Sequence, residues 1–143
     1  MIQRNEKTRS VATLLIFKLC WLAIVFGAVW SEQWLGLAAI TAFVAFEVIA
    51  NRRSGVLFPA VVVGLLGFAV DNVYVLSGLM TFTEPGIAPA PYWMALLWVN
   101  FALIVEHGLL FLKGRPALAA VLGAIGGPSA YYAGVGLGLL EFT

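Results

Sequence analysis

Apolar residues run through this chain in long blocks separated by short polar interruptions. Five blocks stand out, at residues 11–30, 34–50, 56–79, 92–112 and 117–140. A stretch of about 17 to 25 apolar residues crosses a hydrocarbon core of about 30 Å as a helix. The pattern predicts an all-α fold, a polytopic membrane helical bundle of about five transmembrane helices in a single domain, 1–143. The connections at 31–33, 51–55 and 113–116 are short enough to force antiparallel hairpins. Residues 80–91 form the one longer loop, where Pro85, Gly86, Pro89 and Pro91 forbid a continuous helix. Pro91 suits the first turn of the fourth helix, where its missing donor costs nothing. The first block carries Lys18 and ends without an Ala-x-Ala pattern, so it reads as a retained helix and not a signal peptide.

Composition agrees with a bilayer as the main partner. The 143 residues are 62% hydrophobic and 10% charged, against about 25% charged in soluble domains. A net charge of +1 supplies no basic field for nucleic acid. Cys20 is the single cysteine, which excludes an intrachain disulfide and a thiolate metal cluster.

Charge also sets a direction. Arg4, Lys7 and Arg9 precede the first block, Arg52 and Arg53 follow the second, and Lys113 and Arg115 follow the fourth. With five spans all of these fall on one side, while Glu32, Glu84 and Glu141 fall on the other. The positive-inside rule then predicts a multi-pass membrane protein with its N-terminus cytoplasmic and its C-terminus extracytoplasmic. Trp30, Trp34, Tyr92, Trp93 and Phe142 are placed for an outer aromatic belt. Five spans do not divide into halves of equal span count, so an inverted-repeat transporter within one chain is not expected, and a transporter would need a homo-oligomer.

Ionisable groups at membrane depth face a bundle interior and mark candidate sites. The chain has Lys18, Glu47, Asp71, Glu106 and His107, with Asn72 and Asn100 as neutral polar groups. Counting along the helices gives an inner layer of Lys18, Glu47, Glu106 and His107 and an outer layer of Asp71, Asn100 and Tyr131 or Tyr132. In the inner layer Lys18 is expected to pair with Glu47 or Glu106. In the outer layer Asp71 lies on a glycine strip with Gly64, Gly67 and Gly78, and is expected to bond to Asn100 or a tyrosine. Asp71, Asn100, His107 and Tyr131 form the candidate polar site. No metal site is expected, because Asp71, Glu47 and Glu106 differ from His107 in level or face. No nucleophile elbow surrounds Ser129 and no cofactor fingerprint is present, so neither a cofactor nor autonomous catalysis is expected.

The glycine-rich stretch 123–138 fails as a ligand loop. Glu141 occupies the third glycine position of a dinucleotide fingerprint begun at Gly136 and Gly138, and no Walker sequence exists. As a helix, Gly126, Ala130, Gly134 and Gly138 form one small-residue ridge, with Gly123 and Gly127 beside it. Pro128, after Gly126 and Gly127, withholds a donor from the Ala124 carbonyl and is expected to kink or break the helix.

The chain resembles a family of bacterial integral membrane proteins catalogued as domain of unknown function 2878. The residues that carry the likeness are Lys18 with Trp21, the run Trp34-Leu35-Gly36, Gly67 with Asp71, Trp93-Met94 with Trp98, His107 with Gly114-Arg115-Pro116, and Gly123 through Gly127-Pro128 to Tyr131 and Gly134. In that family Gln is usual near Lys18 and His near Glu47, and this chain departs at both. The resemblance brings no assigned activity. It implies a setting near fatty-acid and cyclopropane-type lipid modification. The leading expectation is thus an accessory or binding component, with a membrane protein partner or a second copy, linked to membrane lipid modification or envelope stress. The alternatives are a small oligomeric transporter or channel using Asp71 and Asn100, and an intramembrane lipid-modifying enzyme built on His107, Glu106 and Tyr131.

Overall fold

The computed structural model describes residues 2–84, 88–105 and 108–143. Its order is α1 (Ile2–Val29), α2 (Trp34–Ala45), a π turn (Phe46–Ala50), a short 3-10 turn (Ser54–Val56), α3 (Leu57–Leu76), β1 (Met80–Phe82), α4 (Tyr92–Val105), a second 3-10 turn (Leu110–Leu112), α5 (Pro116–Gly136) and β2 (Leu140–Phe142). The all-α expectation holds, with five helices. Three segments are long and apolar enough to cross a membrane, Thr8–Val29, Ser54–Leu76 and Pro116–Gly136, while Trp34–Ala50 and Tyr92–Val105 are shorter apolar helices.

The central element is α4. One side of it meets α1 and α2, where Cys20, Ile24, Ile40, Phe43, Trp93 and Leu103 form the core. The other side meets α3, and glycines permit the approach. A Cβ at Gly64 would stand 2.7 Å from Val99 Cγ2, and one at Gly67 would collide with the Trp98 indole. Between α1 and α2, a Cβ at Gly36 would stand 3.3 Å from the Ile24 backbone. Small residues at crossing points are what helix pairs in lipid need, since hydrocarbon gives no hydrophobic drive between helices.

Several boundaries differ from expectation, each for a local reason. Helix α1 begins at Ile2 because its polar N-terminal residues continue the helix past the apolar block. Helix α4 is described as far as Val105, and the block expected to reach residue 112 does not finish as α-helix: Gly108 N–H and Leu109 N–H both donate to the Ile104 carbonyl, at 2.8 and 3.0 Å, and Leu110–Leu112 form the second 3-10 turn. Helices α3 and α5 stop short of residues 79 and 140, each at a glycine in the left-handed region, Gly78 (φ 74°) and Gly138 (φ 71°). Leu79 N–H then reaches the Tyr74 carbonyl and Leu139 N–H the Gly134 carbonyl, both at 3.0 Å.

After those turns come the two strands that apolar patterning concealed. Strands β1 and β2 pair antiparallel, Met80 opposite Phe142 and Phe82 opposite Leu140. They help close one end of the bundle. There Glu84 accepts from Ser31 Oγ at 2.6 Å and Gln33 Nε2 at 3.1 Å, tying the β1–α4 loop to the α1–α2 turn. Asn72 secures the same loop by accepting from Ala90 N–H at 3.0 Å. Trp30, Trp34, Tyr92 and Phe142 are exposed near this end, but Trp93 turns into the core and meets Phe82 edge to face. Pro85 and Gly86 lie outside the described residues.

The break expected at Pro128 does not occur, and α5 is continuous from Pro116 to Gly136. Ser129 Oγ folds back to the Ile125 carbonyl at 2.6 Å, a local bond at the turn where proline has no donor to give. The expected glycine ridge is also shorter, because Gly138 belongs to the turn after the helix. Gly134 packs against Leu140, while Gly123, Gly126 and Gly127 have nothing within 4 Å of a Cβ built on them.

Candidate functional site

Four polar side chains are wholly buried among the described residues: Thr13, Glu47, Asp71 and Asn100, each 0% exposed. They fall into two separate clusters and one isolated group.

Asp71 sits on α3 one turn beyond Gly67. Trp98 of α4 lies across Gly67 and donates from Nε1 to Asp71 Oδ2 at 2.8 Å. Tyr131 of α5 donates its hydroxyl to Asp71 Oδ1 at 2.5 Å. One carboxylate thereby joins three helices. Each oxygen is met by a neutral donor, and no salt bridge to Asp71 occurs among the described residues. Gly67 is what permits this: any side chain there would push the indole away from the carboxylate. The cluster ties α3 to α4 and α5 through one side chain.

Glu47 is held differently. It lies in the π turn Phe46–Ala50, where the backbone carries one extra residue and Asn51 N–H closes to the Phe46 carbonyl at 3.0 Å. Such turns often mark functional or strained positions. Glu47 Oε2 forms a salt bridge with Arg53 Nη1 at 3.2 Å, and Oε1 accepts from Thr13 Oγ1 at 3.2 Å. Arg53 N–H also donates to the Glu47 carbonyl at 2.9 Å, and Arg52 between them is left-handed at φ 54°. Asn51 Nδ2 is buried with no partner among the described residues. The π turn thus bends the chain so that an arginine next to the interface reaches back to a carboxylate in the bundle.

Asn100 belongs to neither cluster. Its Nδ2 donates to the Phe17 carbonyl on α1 at 3.2 Å, and its Oδ1 has no partner among the described residues.

The outer layer expected from sequence is therefore half assembled. The structure brings Tyr131 to Asp71 but turns Asn100 to the opposite side of α4, because Trp98 and Asn100 stand two residues apart and face different neighbours. In the inner layer Glu47 pairs with Arg53 and not with Lys18. Lys18 is exposed, its Nζ 5.6 Å from the Trp21 ring centroid. The reason is geometric: the π turn brings Arg53 within reach, whereas Lys18 projects from the outer face of α1. Glu106 and His107 lie outside the described residues. Among those described, no cluster of three or more metal-ligating side chains occurs.

Three partners escaped sequence reading. Trp98 had a signal, since a bulky aromatic opposite the small Gly67 near a buried acid is a lock-and-groove arrangement. Thr13 and Arg53 had none, because a π turn leaves no pattern in the residue types.

The family described as "Protein of unknown function (DUF2878)" matches residues 10–143, and the chain belongs to it. Neither the curated proteins nor the solved structures include a significant match to the chain.

Proposed function

We propose that this member of the DUF2878 family is a non-catalytic accessory component of the bacterial cytoplasmic membrane, working in membrane lipid modification or the envelope stress response. The observation that carries this reading is the occupancy of Asp71. Each of its oxygens holds a donor from another helix, Trp98 on α4 and Tyr131 on α5, so the carboxylate serves to tie helices together. The Glu47 carboxylate is likewise engaged on both oxygens, by Arg53 and Thr13. Buried acids used as structural ties fit a protein whose surfaces, not its interior, carry its role. The N-terminus lies in the cytoplasm on this reading, in keeping with cations gathered at one end of the helices.

The test is lipidomics of a deletion strain, paired with affinity copurification of the tagged protein from membranes. An altered phospholipid acyl composition, restored by the wild-type gene and also by Asp71→Asn, supports an accessory role. An unchanged profile together with no copurifying protein overturns it. Activity of a C-terminal reporter only in the cytoplasm would overturn the orientation.

A further inference from the structure

Lys18 stands at the midpoint of Thr8–Val29, a segment long and apolar enough to cross a membrane. Its side chain is exposed, on a stripe of α1 that it shares at helical spacing with Val11 (57%), Leu15 (61%) and Leu22 (40%). The inward side of the same helix is buried and carries Thr13, Cys20, Ile24 and Ala28. Lys18 therefore turns outward at the middle of the span. A charged side chain at that depth is costly, and such groups normally turn into the bundle or meet an opposite charge.

Neither remedy occurs within the described residues. Lys18 has no salt bridge there, and its contact is the Trp21 ring, with Nζ 5.6 Å from the centroid. Trp21 itself packs against the core, so the ring that holds the ammonium is fixed in place. The buried acids of the other helices are committed elsewhere, Glu47 to Arg53 and Thr13, Asp71 to Trp98 and Tyr131. Either membrane surface lies about 15 Å away along the helix, at about 1.5 Å of rise per residue. That is farther than a snorkelling lysine stem extends. A lipid phosphate is out of reach, whereas a carboxylate on another membrane-spanning helix can meet Lys18 at its own depth.

We propose that this face of α1 docks a transmembrane helix of a different protein, one that carries an aspartate or glutamate near the middle of its span. Charge complementarity selects the partner, and low dielectric makes the pairing strong and discriminating against a helix that lacks the acid. Leu15 and Leu22 flank Lys18 by one turn on either side and supply the packing around the pair. A second copy of this chain does not offer Glu47 or Asp71 to the site, because both are 0% exposed. The inference rests on the accessory reading, whose partner it describes; lipidomics tests that role, and the contact is tested separately.

The probe is a synthetic polyleucine transmembrane helix with one central aspartate, reconstituted with the full-length protein in phosphatidylcholine vesicles at neutral pH. Energy transfer between labels on the peptide and on the protein reads their association. The aspartate helix is expected to bind the wild type, and Lys18→Met to weaken that binding about tenfold. Lys18→Arg keeps the charge and should keep the binding. Helices with leucine or lysine at the centre, or with the aspartate moved two turns towards either end, should bind no better than Lys18→Met allows. The fold does not depend on this side chain, which is exposed and has no salt bridge among the described residues, so Lys18→Met should unfold in detergent as the wild type does. Binding indifferent to Lys18→Met, or equally strong for the leucine helix, overturns the proposal. Loss of wild-type binding when phosphatidylglycerol replaces part of the phosphatidylcholine would assign Lys18 to a lipid headgroup and overturn it too. Lys18-dependent self-association without the peptide would make a second copy the partner, with the same consequence.

Discussion

Asp71 and Glu47 are equally shielded, yet the chain holds them by opposite means. Glu47 has a cation six residues away in sequence and a hydroxyl from α1. Asp71 has an indole 27 residues away and a phenol 60 residues away, and no salt bridge among the described residues. The first arrangement is mainly local: it fixes how the chain leaves α2 and enters α3. The second is tertiary, and α5 is bound to the body of the protein through it. Burial alone does not tell what an acid is for; the sequence distance to its partners does.

The largest expected effect falls on the ionic side. Arg53→Ala leaves the Glu47 carboxylate buried without its cation, and breaking one member of a buried pair costs about 3 to 5 kcal/mol. Equilibrium unfolding in detergent reads this loss directly. Combining Arg53→Ala with Glu47→Gln removes the stranded charge and is expected to recover most of it. If the double variant is no more stable than Arg53→Ala, the pair does not act as a charge pair.

Second in size is Asp71→Ala. It strands the Trp98 N–H and the Tyr131 O–H, each at a desolvation cost of about 1 to 2 kcal/mol. Asp71→Asn should be nearly silent in the same measurement, because an amide oxygen accepts from Trp98 while its nitrogen donates to the phenol oxygen. Equal losses in the two variants would show that the carboxylate's charge, and not its hydrogen bonding, holds the helices.

Much of this frame could be read before any coordinates. Block length located five helices, the short connections implied antiparallel hairpins, and glycine spacing on α3 pointed Asp71 into the bundle. What was hidden has physical causes. The β1–β2 pair follows two left-handed glycines inside apolar runs, and hydrophobicity does not distinguish a helix end from a short strand in such a run. The Arg53–Glu47 pair depends on a π turn, which shifts every later residue around the helix by an amount that no 3.6-residue template contains. Asn100 was assigned to Asp71 by depth alone; depth fixes level, whereas the face is decided by which neighbour packs on which side of α4.

The smallest effect isolates the tether itself. Tyr131→Phe removes the bond that α5 donates to Asp71 and keeps the ring, the Trp98 bond and the core. Side-chain hydrogen bonds between membrane helices contribute about 0.6 to 2 kcal/mol, so global stability should fall by roughly 1 kcal/mol. The location of the change matters more than its size. Because residues 120–130 have no buried member to hold them, hydrogen exchange should quicken along α5 while α1, α2 and α4 remain as protected as in the wild type. Thr13→Val, the matching deletion on the Glu47 side, leaves Arg53 in place and should show no such regional response. Uniform quickening across all helices in Tyr131→Phe would mean that the Asp71 clamp supports the whole bundle, and the contrast between a local and a tertiary carboxylate would have to be redrawn.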